Sequence, residues 1–163
     1  MTCRERLEQW LNTAGVKYDV TVHPVVYTAQ EVAASEHLSG YEVAKVVMAI
    51  VDGDLVMLVL PAPHRVDLAK LRSALGAGKV RLAGEQEFAN LFPDCDVGAM
   101  PPFGNLYGIS VYIDPSLARN PQIIFNAGSH RETITIPYTD FERLVRPQIV
   151  DLITETGALK RPA

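Results

Sequence analysis

Three short stretches carry side chains fit for chemistry. The first is GYEVAKVVMAIVDGDLVMLVLP, residues 40–61, where Lys45 is the only basic residue and stands at the edge of a long apolar run. A lysine there can snorkel its ammonium to water. It can hold a phosphate or hydroxyl as a point charge on a flexible stem. Desolvated, it can titrate lower and serve as an amine base or Schiff-base former. The second stretch is DCDVGAMPPFGNLYG, residues 94–108, with three glycines and the adjacent Pro101 and Pro102. The prolines stiffen the chain and donate no hydrogen bond. Gly98 and Gly104 open backbone conformations closed to other residues, so the loop can point N–H groups at a bound oxygen. The third is FNAGSHRET, residues 125–133, which gathers Asn126, Gly128, Ser129 and His130 in a turn. Plain surface turns explain the last two stretches equally well, because glycine, proline and serine are ordinary loop residues.

The elements that must position these groups follow from pattern. Thr2 and Glu5 form a capping box. Leu7, Trp10, Leu11 and Ala14 then mark one helical face, with a stop at Gly15. KYDVTVH reads as a strand ended by Pro24, and a second capping box, Thr28 to Glu31, starts a short helix through about Leu38. Two apolar strands follow at about 45–51 and 55–60, joined through Asp52-Gly53-Asp54, a tight-hairpin signal. Both strands read as central and covered on both faces. Asp67 caps a helix carrying Leu68, Leu71 and Leu75 and ending near Gly76. KVRLA is a short strand and EQEFANLF a helix ended before Pro93. ISVYID, QIIFNA and TITIPY are three further strands. Thr139 and Glu142 make a third capping box for a last helix, which Pro147 interrupts. The pattern is one α/β domain with a mixed, twisted sheet over residues 1–154, followed by a frayed polar tail, 155–163.

Composition narrows the function classes. The 163 residues are 48% hydrophobic and 21% charged, the profile of a globular domain able to bury a core. Asp52 and Asp54 break the longest apolar run, so no membrane helix is expected. The charged N-terminus lacks the pattern of a secretory signal. Cys3 and Cys95 form no CxxC pair, which predicts reduced thiols in a cytoplasmic protein. The acids flanking Cys95 argue for a structural role. Net charge is −4, so any RNA contact is expected to be small and local. Arg65, Lys70, Arg72, Lys79 and Arg81 form one basic patch, which is either such a contact or a solvated face. His23, His37, His64 and His130 have no local ligand spacing, and no metal site is expected. The chain has no GxGxxG, no GxxxxGK[ST] and no GxSxG.

Lys45, the 98–104 loop and the 126–130 turn together resemble the YbaK/ProX family, free-standing relatives of the editing domain of bacterial prolyl-tRNA synthetase. The resemblance spans roughly residues 5–150. EVAKVVMAIVDGDLVMLVLP is similar to the family's lysine strand and hairpin. GAMPPFG fits its G-x-x-x-P loop at Gly98 and Pro102, and FNAGSH fits the small-residue turn after a late strand. The chain departs from some members by having Asn126 where they place a histidine.

The resemblance implies a sheet curved towards a barrel and flanked by helices, and no cofactor. It implies hydrolysis of the ester of a mischarged aminoacyl-tRNA, a small amino acid on tRNA(Pro). Backbone N–H groups of the catalytic loop Gly98, Ala99, Met100, Pro101 and Pro102, prolines aside, would face the developing oxyanion. Lys45 would hold the terminal adenosine, and the vicinal ribose hydroxyl would help a water attack. Tyr27, Thr28, Met48, Phe103, Gly104, Asn126, Gly128, Ser129 and His130 would line the substrate site. Partners would be the aminoacyl-tRNA 3′ end and a synthetase, with the chain itself a monomer. The alternatives are a non-catalytic module that binds such a 3′ end or a synthetase, and a small-molecule esterase using the same loop.

Overall fold

The computed structural model describes residues 2–22 and 43–154. The first helix, α1 (Cys3–Thr13), begins as expected, with Thr2 Oγ1 accepting from the Glu5 N–H at 3.1 Å. It buries Leu7 and Leu11. Gly15, at φ 74°, takes the turn out of it. Strand β1 (Asp19–Val22) follows. The Thr28 to Glu31 capping box, Tyr27 and Thr28 lie outside the described residues.

Strands β2 (Ala44–Val51) and β3 (Asp54–Pro61) form the expected hairpin in full register from Ala44 opposite Pro61 to Val51 opposite Asp54. Its turn puts Asp52 at φ 48° and Gly53 at φ 89°, the left-handed pair that suits the twist of a two-residue hairpin. Asp67 caps α2 (Leu68–Leu75) by accepting from the Lys70 N–H at 3.0 Å, and Gly76 ends it at φ 62°. Next come β4 (Val80–Leu82) and α3 (Glu85–Phe88). The predicted helix through residue 92 ends early and tightens into a 3-10 turn, Ala89–Leu91. A second 3-10 turn, Gly104–Tyr107, closes the glycine-rich loop.

The later elements are β5 (Ser110–Ile113), α4 (Pro115–Ala118), β6 (Gln122–Asn126), β7 (Glu132–Pro137), α5 (Tyr138–Val145) and β8 (Gln148–Ile149). The Thr139 to Glu142 capping box does not form. Helix α5 already starts at Tyr138, behind Pro137, with no side-chain cap. The short α4 was not foreseen. It is capped by the fully buried Asp114, which accepts from the Ser116 N–H at 3.0 Å and from Leu152 N–H at 3.0 Å.

The strands make two sheets, β1-β7-β6 and β4-β2-β3-β5-β8. The larger one is mixed, with β3–β5 and β5–β8 parallel. One parallel bridge, Val43 to Ile124, joins the sheets, so they bend together without closing a barrel. Side chains alternate across a strand. One face of β2 and β3 sends Ala44, Met48, Met57 and Val59 into the main core with Phe103, Phe125 and Phe141. The other sends Ala49, Val56, Leu58 and Leu60 against Leu71, Leu152 and Ile153. Among the described residues no helix is long and apolar enough to cross a membrane.

Candidate active site

The glycine-rich loop and the late turn meet. The Asp96 N–H donates to the Gly128 carbonyl at 2.7 Å, and the Gly128 N–H donates to the Ala99 carbonyl at 2.9 Å. His130 reaches back over the same loop, its Nε2 lying 3.3 Å from the Val97 carbonyl. A methyl group on Gly98 would sit 3.6 Å from the His130 ring. The His130 ring therefore lies over Gly98, four residues beyond Asn126.

The corner is also locked covalently. Cys3 and Cys95 form a disulfide with Cα atoms 5.1 Å apart, and neither thiol is free. This corrects the expectation of reduced cysteines. Sequence spacing says nothing about partners 92 residues apart. The fold lays the first residue of α1 against the loop, within bridging distance. Arg6 pairs with Asp94 at 2.7 Å beside it.

Several expected contacts prove to be packing. Phe103 is fully buried, edge-on to Trp10, Phe125 and Phe141. Met48 and Met100 belong to the same core. Gly104 is buried where a Cβ would press on the Ile109 carbonyl and Val111, each at 3.1 Å. The side chains of Phe103, Met48 and Met100, with Gly104, pack beneath the loop. The expected oxyanion donors also narrow. The Ala99 N–H is spent on the Asp96 carbonyl at 3.0 Å. Pro101 and Pro102 carry no N–H. Within the Gly98–Pro102 loop, the N–H groups of Gly98 and Met100 are left without a partner among the described residues.

Lys45 stands at the junction of the sheets. The bridge holds β6 to β2 at Val43, and β4 takes the same edge of β2 only from Ala49 to Val51. Lys45 lies in the interval. Two residues beyond each member of the bridge are Lys45 on β2 and Asn126 on β6, on one face. Asn126 is opposite Thr133 on β7. Burial lowers the pKa of the Lys45 ammonium from its ordinary 10.5, and the guanidinium of Arg65 pushes it the same way. Thr133 was not picked out from the sequence. It is 1% exposed, and its hydroxyl has no partner. A threonine alternating with isoleucines in TITIPY is an ordinary strand signal, so only three-dimensional placement marks it.

The basic patch divides. Arg65 belongs to the Lys45 end. Lys70 donates to the Ile153 carbonyl at 3.0 Å, and Arg81 makes a two-pronged pair with Glu87 at 3.0 and 2.8 Å. Arg72, Lys79 and Arg81 line a cavity of ≈ 650 Å³ beside Ile50 and Gly53, at the far end of β2. At the rise of a strand this lies roughly 17 Å from Lys45. No group of His, Cys, Asp and Glu among the described residues could hold a metal ion.

Comparison with known proteins gives a consistent picture. Residues 23–144 match the family model of the aminoacyl-tRNA editing domain. The chain is 28% identical over 152 residues to the multifunctional Ser/Thr-tRNA deacylase ProXp-y of Escherichia coli (strain K12), covering 90% of each. It is 32% identical over 90 residues to a proline–tRNA ligase of Lysinibacillus sphaericus (strain C3-41). That match takes in 55% of this chain and 16% of the ligase. A solved structure described as a proposed trans-editing enzyme for prolyl tRNA synthetase superposes with a TM-score of 0.81 at 23% identity, covering 94% of this chain and 98% of the other. At that identity the likeness establishes the fold.

Proposed function

The chain belongs to the aminoacyl-tRNA editing domain family, and from that membership we propose that it is a trans-acting hydrolase that removes a small, wrongly attached amino acid from tRNA. The observation that carries the reading is Lys45: a lowered-pKa cation at the junction of two sheets, on one face with Asn126 and Thr133. In this reading Lys45 stays charged and holds the phosphate or hydroxyls of the terminal adenosine, with Arg65 nearby as a second cation.

An ester on a ribose is already labile, so the protein need not supply a strong nucleophile. It must orient a water and stabilise the charge that develops on the carbonyl oxygen. The N–H groups of Gly98 and Met100 are the donors suited to that oxyanion, held by the hydrogen bonds that fasten the loop to the turn. Loss of one such donor raises a barrier by about 3 kcal/mol. The vicinal ribose hydroxyl carries the proton, with His130 the nearest protein group able to assist. Arg72 and Lys79 are placed to meet the RNA backbone away from the ester. The name of the Escherichia coli relative points to seryl and threonyl esters, and the match to proline–tRNA ligase points to tRNA(Pro).

The test is a deacylation panel: tRNA(Pro), tRNA(Ala), tRNA(Ser) and tRNA(Thr) charged with Ala, Ser, Thr, Cys or Pro, with the purified chain. Selective loss of one class of ester is the expected result. Tight binding of a non-hydrolysable charged 3′ end with no turnover would instead establish a binding module. Hydrolysis of free amino-acid esters at the same rate as charged tRNA would establish a small-molecule esterase.

A further inference from the structure

Thr133 holds the one kind of polar group that a folded chain rarely leaves idle. Its side chain is 1% exposed, and its hydroxyl has no hydrogen-bond partner among the described residues. Such a group destabilises a fold by about 1–3 kcal/mol, and most are paired in native proteins. Register fixes where it stands. Ile134 and Ile136 point into the aromatic core, so Thr133 occupies the opposite face of β7. It lies directly across from Asn126, and Asn126 and Lys45 each stand two residues beyond the parallel Val43–Ile124 bridge. Two inter-strand steps separate Thr133 from Lys45, about 10 Å. That is the scale of a terminal nucleotide's phosphate to the end of a small acyl side chain.

Resting on the editing reading above, we propose that the Thr133 hydroxyl is a specificity contact for the side-chain hydroxyl of the acyl group, selecting seryl and threonyl esters over alanyl ones. A hydroxyl both donates and accepts, so it complements another hydroxyl in either sense. The acyl ammonium is the other polar group a substrate offers. It is disfavoured here, because Lys45, with Arg65 near it, is a cation. An alanyl methyl would leave the Thr133 hydroxyl as it stands in the unliganded fold, buried and unpaired. Discrimination of this kind arises because the wrong substrate strands a polar group of the site.

Thr133→Val replaces the hydroxyl with a methyl group of nearly the same shape, and Thr133→Ser keeps the hydroxyl. The ratio of seryl-tRNA to alanyl-tRNA deacylation is expected to fall about tenfold in Thr133→Val, the worth of one neutral hydrogen bond, and to survive in Thr133→Ser. The melting temperature of Thr133→Val should equal or exceed that of the wild type, because no native hydrogen bond is lost. An unchanged ratio, or equal loss on both esters with a lowered melting temperature, overturns the proposal. Titration with non-hydrolysable 3′-seryl and 3′-alanyl aminoadenosine separates it from the parent reading. If the wild type turns over nothing yet binds the seryl analogue more tightly, and Thr133→Val loses that preference, the contact stands and only the catalytic reading falls. Equal affinity of the wild type for the two analogues overturns the contact itself.

Discussion

Two regions that meet at the end of β6 treat their polar groups in opposite ways. In the corner where the 94–104 loop packs on the 126–130 turn, polar and covalent partners are matched apart from the Gly98 and Met100 N–H groups. Cys3 is bonded to Cys95, Arg6 to Asp94, Arg4 to Glu132 at 3.0 Å, and the two backbones to each other. On the neighbouring face, Lys45 has no carboxylate partner among the described residues, a second cation lies near it, and Thr133 has a buried hydroxyl with nothing to bond. The matched region has the character of a framework. The unmatched one has the character of a place where a ligand completes the electrostatics. Mutations should therefore separate stability from activity along this line.

The largest effect on stability is expected at Gly128. A Cβ there would lie 2.5 Å from Cys3 Cβ and 2.7 Å from its Sγ, on a backbone at φ 96°. Gly128→Ala should destabilise by about 3 kcal/mol, combining overpacking with left-handed strain, read as a drop in urea midpoint. Next comes Cys3→Ser, which opens a loop closed across 92 residues. A loss of about 2–4 kcal/mol is expected. Turnover should persist wherever the variant is still folded. If it vanishes in a folded Cys3→Ser protein, the disulfide itself is needed for turnover and the division fails.

Gly98→Ala sharpens the boundary. The position has φ 85° but open space apart from the His130 ring. About 1 kcal/mol of stability should go, together with a fall in kcat, since the N–H offered to the oxyanion moves. Alkaline titration should move stability and ligand binding at Lys45 in opposite directions. The lowered pKa of Lys45 means the unfolded chain binds more protons between the folded value and the ordinary 10.5. Stability from this group therefore rises with pH through that window and is lost as pH falls through the folded pKa. Binding of a non-hydrolysable 3′-end analogue should weaken over the same window as the ammonium discharges. The smallest effect is expected far from the face. Arg72→Ala with Lys79→Ala should raise KM a few-fold and flatten the salt dependence of tRNA binding, leaving kcat and the melting temperature unchanged.

Much of the fold was legible because local rules decide it. The Asp52-Gly53 hairpin, the Asp67 and Thr2 caps and the β2–β3 apolar runs each rest on interactions within a few residues. The Thr139 box failed because Pro137 already sets the chain for a helix starting two residues earlier. Of the site, Lys45, Gly98 and His130 were visible as unusual residues in unusual settings. Met48 turned out to be core because alternation along a strand gives two faces without saying which is core, and Phe103, in the loop, because the rings of Trp10, Phe125 and Phe141 that cover it are distant in sequence. The Cys3–Cys95 bond and the idle hydroxyl of Thr133 were invisible, since each depends on segments far apart in sequence.

The central claim is that Lys45 and its face hold the substrate for the chemistry, while the Cys3–Cys95 anchor and its ion pairs carry the frame. Single-turnover deacylation of seryl-tRNA by the wild type and by Lys45→Met, with melting temperatures taken on the same samples, tests it most directly. The methionine keeps the length of the stem and removes the charge. The account predicts a rate lower by about a hundredfold with no loss of thermal stability. A Lys45→Met protein that hydrolyses seryl-tRNA at the wild-type rate, or that loses activity only because it unfolds, would contradict it.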